Sequence, residues 1–148
     1  MHFGKKNTRQ AYTMGGHILE SSRQEKELGI LIEDNLKPSA QCAKAAAKAN
    51  MVLGQLTRGC TWSDPENLTK LFKVYVRPHL EYAQASWSPW TQANIQTLEQ
   101  VQHRFTRQVS GMGSLPYEER LERLGLTTLL ARRERGDMIT PTRLLPTR

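Results

Sequence analysis

Apolar positions change their spacing twice along the chain. Up to residue 36 they come in short runs separated by turn residues. From residue 39 they recur at three- and four-residue intervals, and past residue 139 the period is lost. In the first part, residues 11–14 and 17–19 flank Gly15-Gly16. Two glycines between short apolar runs predict a tight hairpin, because glycine accepts the positive φ that such a turn demands. Met1-His2-Phe3 reads as a further short strand, followed by the turn-like residues 4–7. Residues 20–26 read as a polar loop, and residues 28–32 as a nearly continuous apolar strand closed by Glu33-Asp34-Asn35. Three or four such strands are too few for an independent domain, so they are expected to be the edge of a larger sheet whose remainder is absent.

The helical period begins after Pro38, with Ser39 as the expected cap. Over residues 40–58, Cys42, Ala45, Ala46, Ala49, Val52, Leu53 and Leu56 share one side, and Gly59 ends the helix. The most apolar and aromatic stretch is 64–90. It starts with Asp64 as cap, Pro65 at the first helical position and Glu66 in the first turn. A continuous helix there buries Leu68, Leu71, Phe72, Tyr75, His79, Tyr82, Ala83 and Trp87, with Lys70, Lys73, Arg77 and Gln84 opposite. Pro78 predicts a kink or break.

Thr91 caps a third helix, 92–110, whose stripe is Ile95, Leu98, Val101, Gln102, Phe105 and Val109. Gln96, Gln100, His103, Arg104 and Arg107 are placed outside. After the linker 111–114, Pro116 starts a short helix that stops before Gly125, and Thr127 or Thr128 caps a last one. Residues 140–148 lack helical period and read as a disordered tail. The expected fold is α+β and mostly α: short antiparallel strands at the N-terminus, then a helical bundle.

Charge adds a partner class. The 148 residues carry 21 Lys+Arg against 14 Asp+Glu, net +7, with a pI near 9.7. Such an excess favours polyanions, nucleic acid before anionic membrane. No window approaches a membrane span and no signal peptide is visible, so the chain reads as intracellular, in nucleus or cytoplasm. Cys42 and Cys60 cannot make a disulfide framework, and Cys42 reads as a small core residue.

Catalytic chemistry finds no foothold in the sequence. There is no glycine-rich phosphate loop, no nucleophile elbow and no paired metal spacing among the cysteines and histidines. Glu33-Asp34 falls in an apparent turn, and Glu118-Glu119 in a first helical turn where acids suit the helix dipole. Neither resembles carboxylates held around two cations. No catalytic residue, metal ligand or cofactor is therefore assigned. His79 is expected to be a hydrogen-bonded core residue, while Trp62 and Trp90 are the better candidates for an exposed contact.

The functional signal is a basic stripe: Lys44, Lys48 and Arg58, with Gln55 between them, in a segment without acids. Cations on successive turns can follow a phosphate backbone without reading bases. A merely solvated helix face is the competing reading. Arg132, Arg133 and Arg135 form a second cluster, but Glu134 and Asp137 interleave and favour a solvated face.

Taken in order, MHFGKKN, YTMGGHIL, KELGILIEDNLKPS, AAAKANMVLGQLTR, LFKVYVRPHLEYA with SWSPW, IQTLEQVQHRFTRQVSG, YEERLERLGLTTL and RRERGDMI resemble the later part of the reverse transcriptase of non-LTR (LINE-type, jockey-like) retrotransposons. The resemblance implies a polymerase hand cut partway through. Residues 1–36 correspond to the end of the palm, with Gly15 and Gly16 shaping the primer-side hairpin. Residues 37–110 correspond to the helical thumb, 111–139 to a helical extension, and 140–148 depart from the family pattern. The aromatic-x-Asp-Asp turn of the family, which would hold Mg in the complete enzyme, is missing, as are the fingers. The implied function is that of a truncated RNA-directed DNA polymerase, inactive alone, that binds the backbone of an RNA–DNA or DNA duplex. The alternatives are a small helical protein–protein interaction module or a decayed remnant without activity.

Overall fold

Gly15 and Gly16 hold φ of +58° and +82° between β1 (Thr13–Met14) and β2 (His17–Ile18). Positive φ at both central residues of a two-residue loop is the geometry that matches strand twist. The register follows, with Met14 opposite His17 and Thr13 opposite Ile18. The computed structural model describes residues 1–4, 6–59 and 64–144, with 138–144 as backbone only. Cys60, Trp62 and the last four positions of the tail lie outside the described residues.

A second hairpin corrects the expected polar loop. Gln24–Glu27 is strand β3, paired antiparallel with β4 (Ile30–Glu33), and Leu28-Gly29 is their turn, with φ of +48° and +88°. Gln-Glu-Lys-Glu carries no alternation because β3 is exposed at every position, so backbone pairing alone makes it a strand. Residues 1–3 form no strand. The two hairpins are separate two-stranded sheets, not one continuous edge.

The helices make the core. α1 (Ser39–Gly59) buries Cys42, Ala45, Ala46, Ala49 and Leu53, as its period predicts. Ser39 lies inside the helix, where its hydroxyl accepts from Asn94 Nδ2 at 3.1 Å, and Pro38 O receives the first helical N–H, from Cys42. α1 packs most extensively on α4 (Gln92–Gln108), whose Leu98, Val101, Gln102 and Phe105 are buried. The alanines permit that close approach.

Between them runs a helix in three pieces: α2 (Pro65–Leu71), a π-turn over Phe72–Val76, and α3 (Arg77–Glu81). The chain passes Pro78 without breaking. Arg77 N–H reaches back five residues to Phe72 O, and the widened turn makes room for the proline ring. One extra residue in a turn rotates everything after it by about 100°. The buried face therefore moves from Tyr75 and His79 to Val76 and Leu80. Tyr75 and Tyr82 are more than half exposed (54% and 57%). Helix also stops at Glu81. Ala83 turns left-handed at φ +50°, Gln84–Ser86 is a short 3-10 turn, and Trp87 is buried with its Nε1 donating to Tyr82 O at 2.8 Å. Phe72 stacks on Phe105, with ring centroids 4.2 Å apart, at the centre of the core.

α5 (Tyr117–Arg123) ends as its sequence predicts. Gly125 at φ +58° lets Leu126 N–H reach Leu121 O at 2.9 Å. Thr128 Oγ1 caps α6 (Leu129–Leu144) by accepting from Ala131 N–H. Leu121, Leu124, Leu126 and Leu129 belong to the same core cluster as α1 and α4. α6 runs through residues 140–144, where a disordered tail was expected. Loss of apolar period signals loss of a buried face and does not forbid helical backbone, and Pro141 removes a single intrahelical donor. The fold is α+β and mostly α.

Candidate nucleic-acid interface

Lys44, Lys48, Gln55 and Arg58 share one side of α1 over a rise of about 21 Å. Lys48, Gln55 and Arg58 are exposed, and among the described residues none makes a hydrogen bond or ion pair. Lys44 behaves differently: its Nζ donates to Gly29 O at 3.2 Å, and the side chain is half-buried. It is one of three anchors of the β3–β4 hairpin. Tyr82 Oη donates to Leu28 O at 3.0 Å, and Gln41 Oε1 accepts from Leu31 N–H at 2.8 Å. The free cations of the stripe are Lys48 and Arg58. Gly15 and Gly16 form the tip of an exposed hairpin, with nothing within 4 Å of where a Cβ would stand.

The arginine cluster of α6 is divided by its surroundings. Arg132 binds both carboxylate oxygens of Glu81, tying α6 to α3, and the hydrogen bond raises its pKa. Burial and the nearby Arg132 lower that of Arg77, which Glu81 opposes. Arg133 is 2% exposed, and none of its three nitrogens has a hydrogen-bond partner among the described residues. Burial lowers its pKa against the attraction of Glu99 and of the Cys42 sulfur, while burial raises that of the Cys42 thiol. Only Arg135 is left on a solvated face.

A polar clasp that sequence reasoning missed joins α4, α5 and α6. Glu99 accepts from Tyr117 Oη and, through its other oxygen, from Leu129 N–H at 2.9 Å. The carboxylate thereby satisfies an orphan donor at the positive end of α6. Gln102 Nε2 donates to Tyr117 Oη at 3.1 Å and to Thr127 O at 3.0 Å. Burial, then the Glu99 hydrogen bond, pushes the Tyr117 hydroxyl far above the ordinary phenol range. His103, expected outside, stacks on Tyr117 at 4.0 Å, and Arg120 donates to its carbonyl at 3.2 Å. The available hint was Gln102, a polar residue that helical spacing places inside the apolar stripe. Conversely, His79 is half-exposed and makes no hydrogen bond among the described residues, because the π-turn rotates it out of the core.

Among the described residues, no three His, Cys, Asp or Glu side chains converge to hold a metal ion, and Glu33 instead accepts from Gln24. No described helix is long and apolar enough to cross a membrane. The chain matches no protein-family model, no curated protein and no solved structure.

Proposed function

We propose that this chain is the palm-end and thumb portion of a retrotransposon reverse transcriptase, contributing sequence-independent grip on a template–primer duplex through α1. The observation that carries the reading is the pair of cations Lys48 and Arg58, without a partner among the described residues, on a 21-residue helix without a carboxylate. A helix face of that kind gains affinity by releasing counterions from phosphates, which requires no base contact. The order of sequence segments resembling the polymerase family supports the same partner. In this reading the chain lacks the catalytic carboxylates and does not copy nucleic acid alone.

The test is the salt dependence of binding to a labelled duplex. Lys48→Gln with Arg58→Gln is expected to reduce the log–log salt slope by about 2, since each neutralised phosphate contributes about 0.9. An unchanged slope removes α1 from the interface, and nucleotide incorporation by the purified chain overturns the wider reading. A second reading, hydrophobic docking of a protein partner, is favoured by one observation: Tyr12, Met14, Ile18 and Leu28 are all exposed on or beside the chain's two hairpins. That mode of association resists added salt.

A further inference from the structure

α4 carries a second set of uncompensated cations. Among the described residues, the ion pairs use Lys70, Arg77, Arg123 and Arg132, whereas Arg104 and Arg107 have neither ion pair nor hydrogen bond. With Gln100, His103 and Gln108 they line a concave surface of about 520 Å³ along the side of α4 away from the core. Glu99 is the one acidic residue of Gln92–Gln108, and its carboxylate is turned inward onto Tyr117 and Leu129. No carboxylate of α4 offsets the two guanidinium groups.

We propose that this face of α4 binds a phosphodiester backbone, with Arg104 and Arg107 as the cations and Gln100 and Gln108 as flanking hydrogen-bond groups. Guanidinium forks match phosphate oxygens two at a time, and residues three or four apart lie about 5–6 Å from each other on a helix. The surface has no apolar side chain to insert into lipid, which an interfacial membrane helix requires. It shares its class of partner with the α1 reading and none of its residues.

His103 gives the face a signature. The ring stacks on Tyr117, and its Nδ1 lies 3.3 Å from Arg120 Nη2, a geometry in which a neutral imidazole accepts from the guanidinium. The charged groups facing it are Arg107 and Glu99 of α4 and Arg120 and Glu118 of α5. Burial, then Arg120 and Arg107, lowers its pKa below the ordinary 6.5. A phosphate beside Arg107 supplies the opposite field. Binding therefore favours the imidazolium, the proton going to Nδ1 at the expense of the Arg120 hydrogen bond, and affinity rises as pH falls.

The experiment is fluorescence anisotropy of a labelled DNA duplex with the full chain, between about 50 and 200 mM salt. Arg104→Gln with Arg107→Gln should lower the salt slope by about 2 while circular dichroism and the urea midpoint stay unchanged. His103→Gln should keep the neutral-pH slope and lose the tightening at low pH. A wild-type slope in the double variant overturns the proposal. So does a polyglutamate probe that binds the wild-type chain as tightly and is lost in the same variant, since the face would then be a general anion surface. The Lys48→Gln, Arg58→Gln variant measured in parallel separates failure here from failure of the α1 reading.

Discussion

The β1–β2 hairpin and the helical bundle bury apolar side chains to opposite degrees, and β3–β4 lies between them, with Ile30 packed against the core. In the bundle, Phe72, Val76, Leu80 and Leu98 are fully enclosed, and α1, α4, α5 and α6 contribute to one cluster. In the hairpins, Ile18 is 71% and Leu28 84% exposed, and β1–β2 pairs only with itself. Turn chemistry alone shapes β1–β2, while β3–β4 is also fastened to α1 and to Tyr82 by three hydrogen bonds. A tight turn can define a hairpin's register without giving it any tertiary stability.

The largest effect should come from the bundle. Phe72→Ala removes a buried ring stacked on Phe105 and is expected to cost about 3–5 kcal/mol in urea unfolding. Ile18→Ala truncates an apolar side chain too, yet it should stay within about 0.5 kcal/mol of wild type because nothing is buried on it. Comparable losses at both positions would mean that β1–β2 folds with the bundle, and the contrast would collapse.

A smaller effect is expected at the fastened hairpin. Leu28 holds φ +48° in a turn whose two central residues both need positive φ, a conformation that costs a residue with a Cβ roughly 1–2 kcal/mol. Leu28→Asn supplies the residue such turns favour and removes an exposed apolar side chain, while the backbone oxygen that receives Tyr82 is retained. Amides of Gln24–Glu27 and Ile30–Glu33 should gain about 1 kcal/mol of hydrogen-exchange protection. Unchanged protection would mean that the anchors from Gln41, Lys44 and Tyr82, and not the turn, limit opening.

These regions also differ in how far they can be read from sequence. The Gly15-Gly16 turn and the buried sides of α1 and α4 follow from local rules, since glycine conformation and helical period need no tertiary information. β3 was hidden because four polar residues on an exposed strand leave no periodic trace. The central helix was misread from Tyr75 onward by one residue of phase, because a π-turn is a backbone rearrangement that no side-chain pattern announces. Of the candidate interface, the cations of α1 were legible as a stripe. Lys44's diversion to Gly29 and the burial of Arg133 depend on what folds against them, which no local spacing encodes.

Pro78 tests that phase shift with a small energy and a clear sign. Were the π-turn a strain imposed by the proline, replacing it with alanine would restore a donor and stabilise the helix. The structure argues otherwise. Pro78 stands in the first turn of α3, directly after the widened turn, where a missing donor and a φ fixed near −65° fit the backbone. Val76 and Leu80 are buried in the phase that the π-turn creates, so packing holds it in place whatever residue follows. Proline at a compatible position stabilises chiefly by restricting the unfolded chain. Pro78→Ala is therefore expected to destabilise by about 0.4–1 kcal/mol, with Tyr75 still accessible to fluorescence quenching. If the variant were more stable and Tyr75 became protected, the proline would be the cause of the turn, and the buried face read from an ideal helix would be the one that packing prefers.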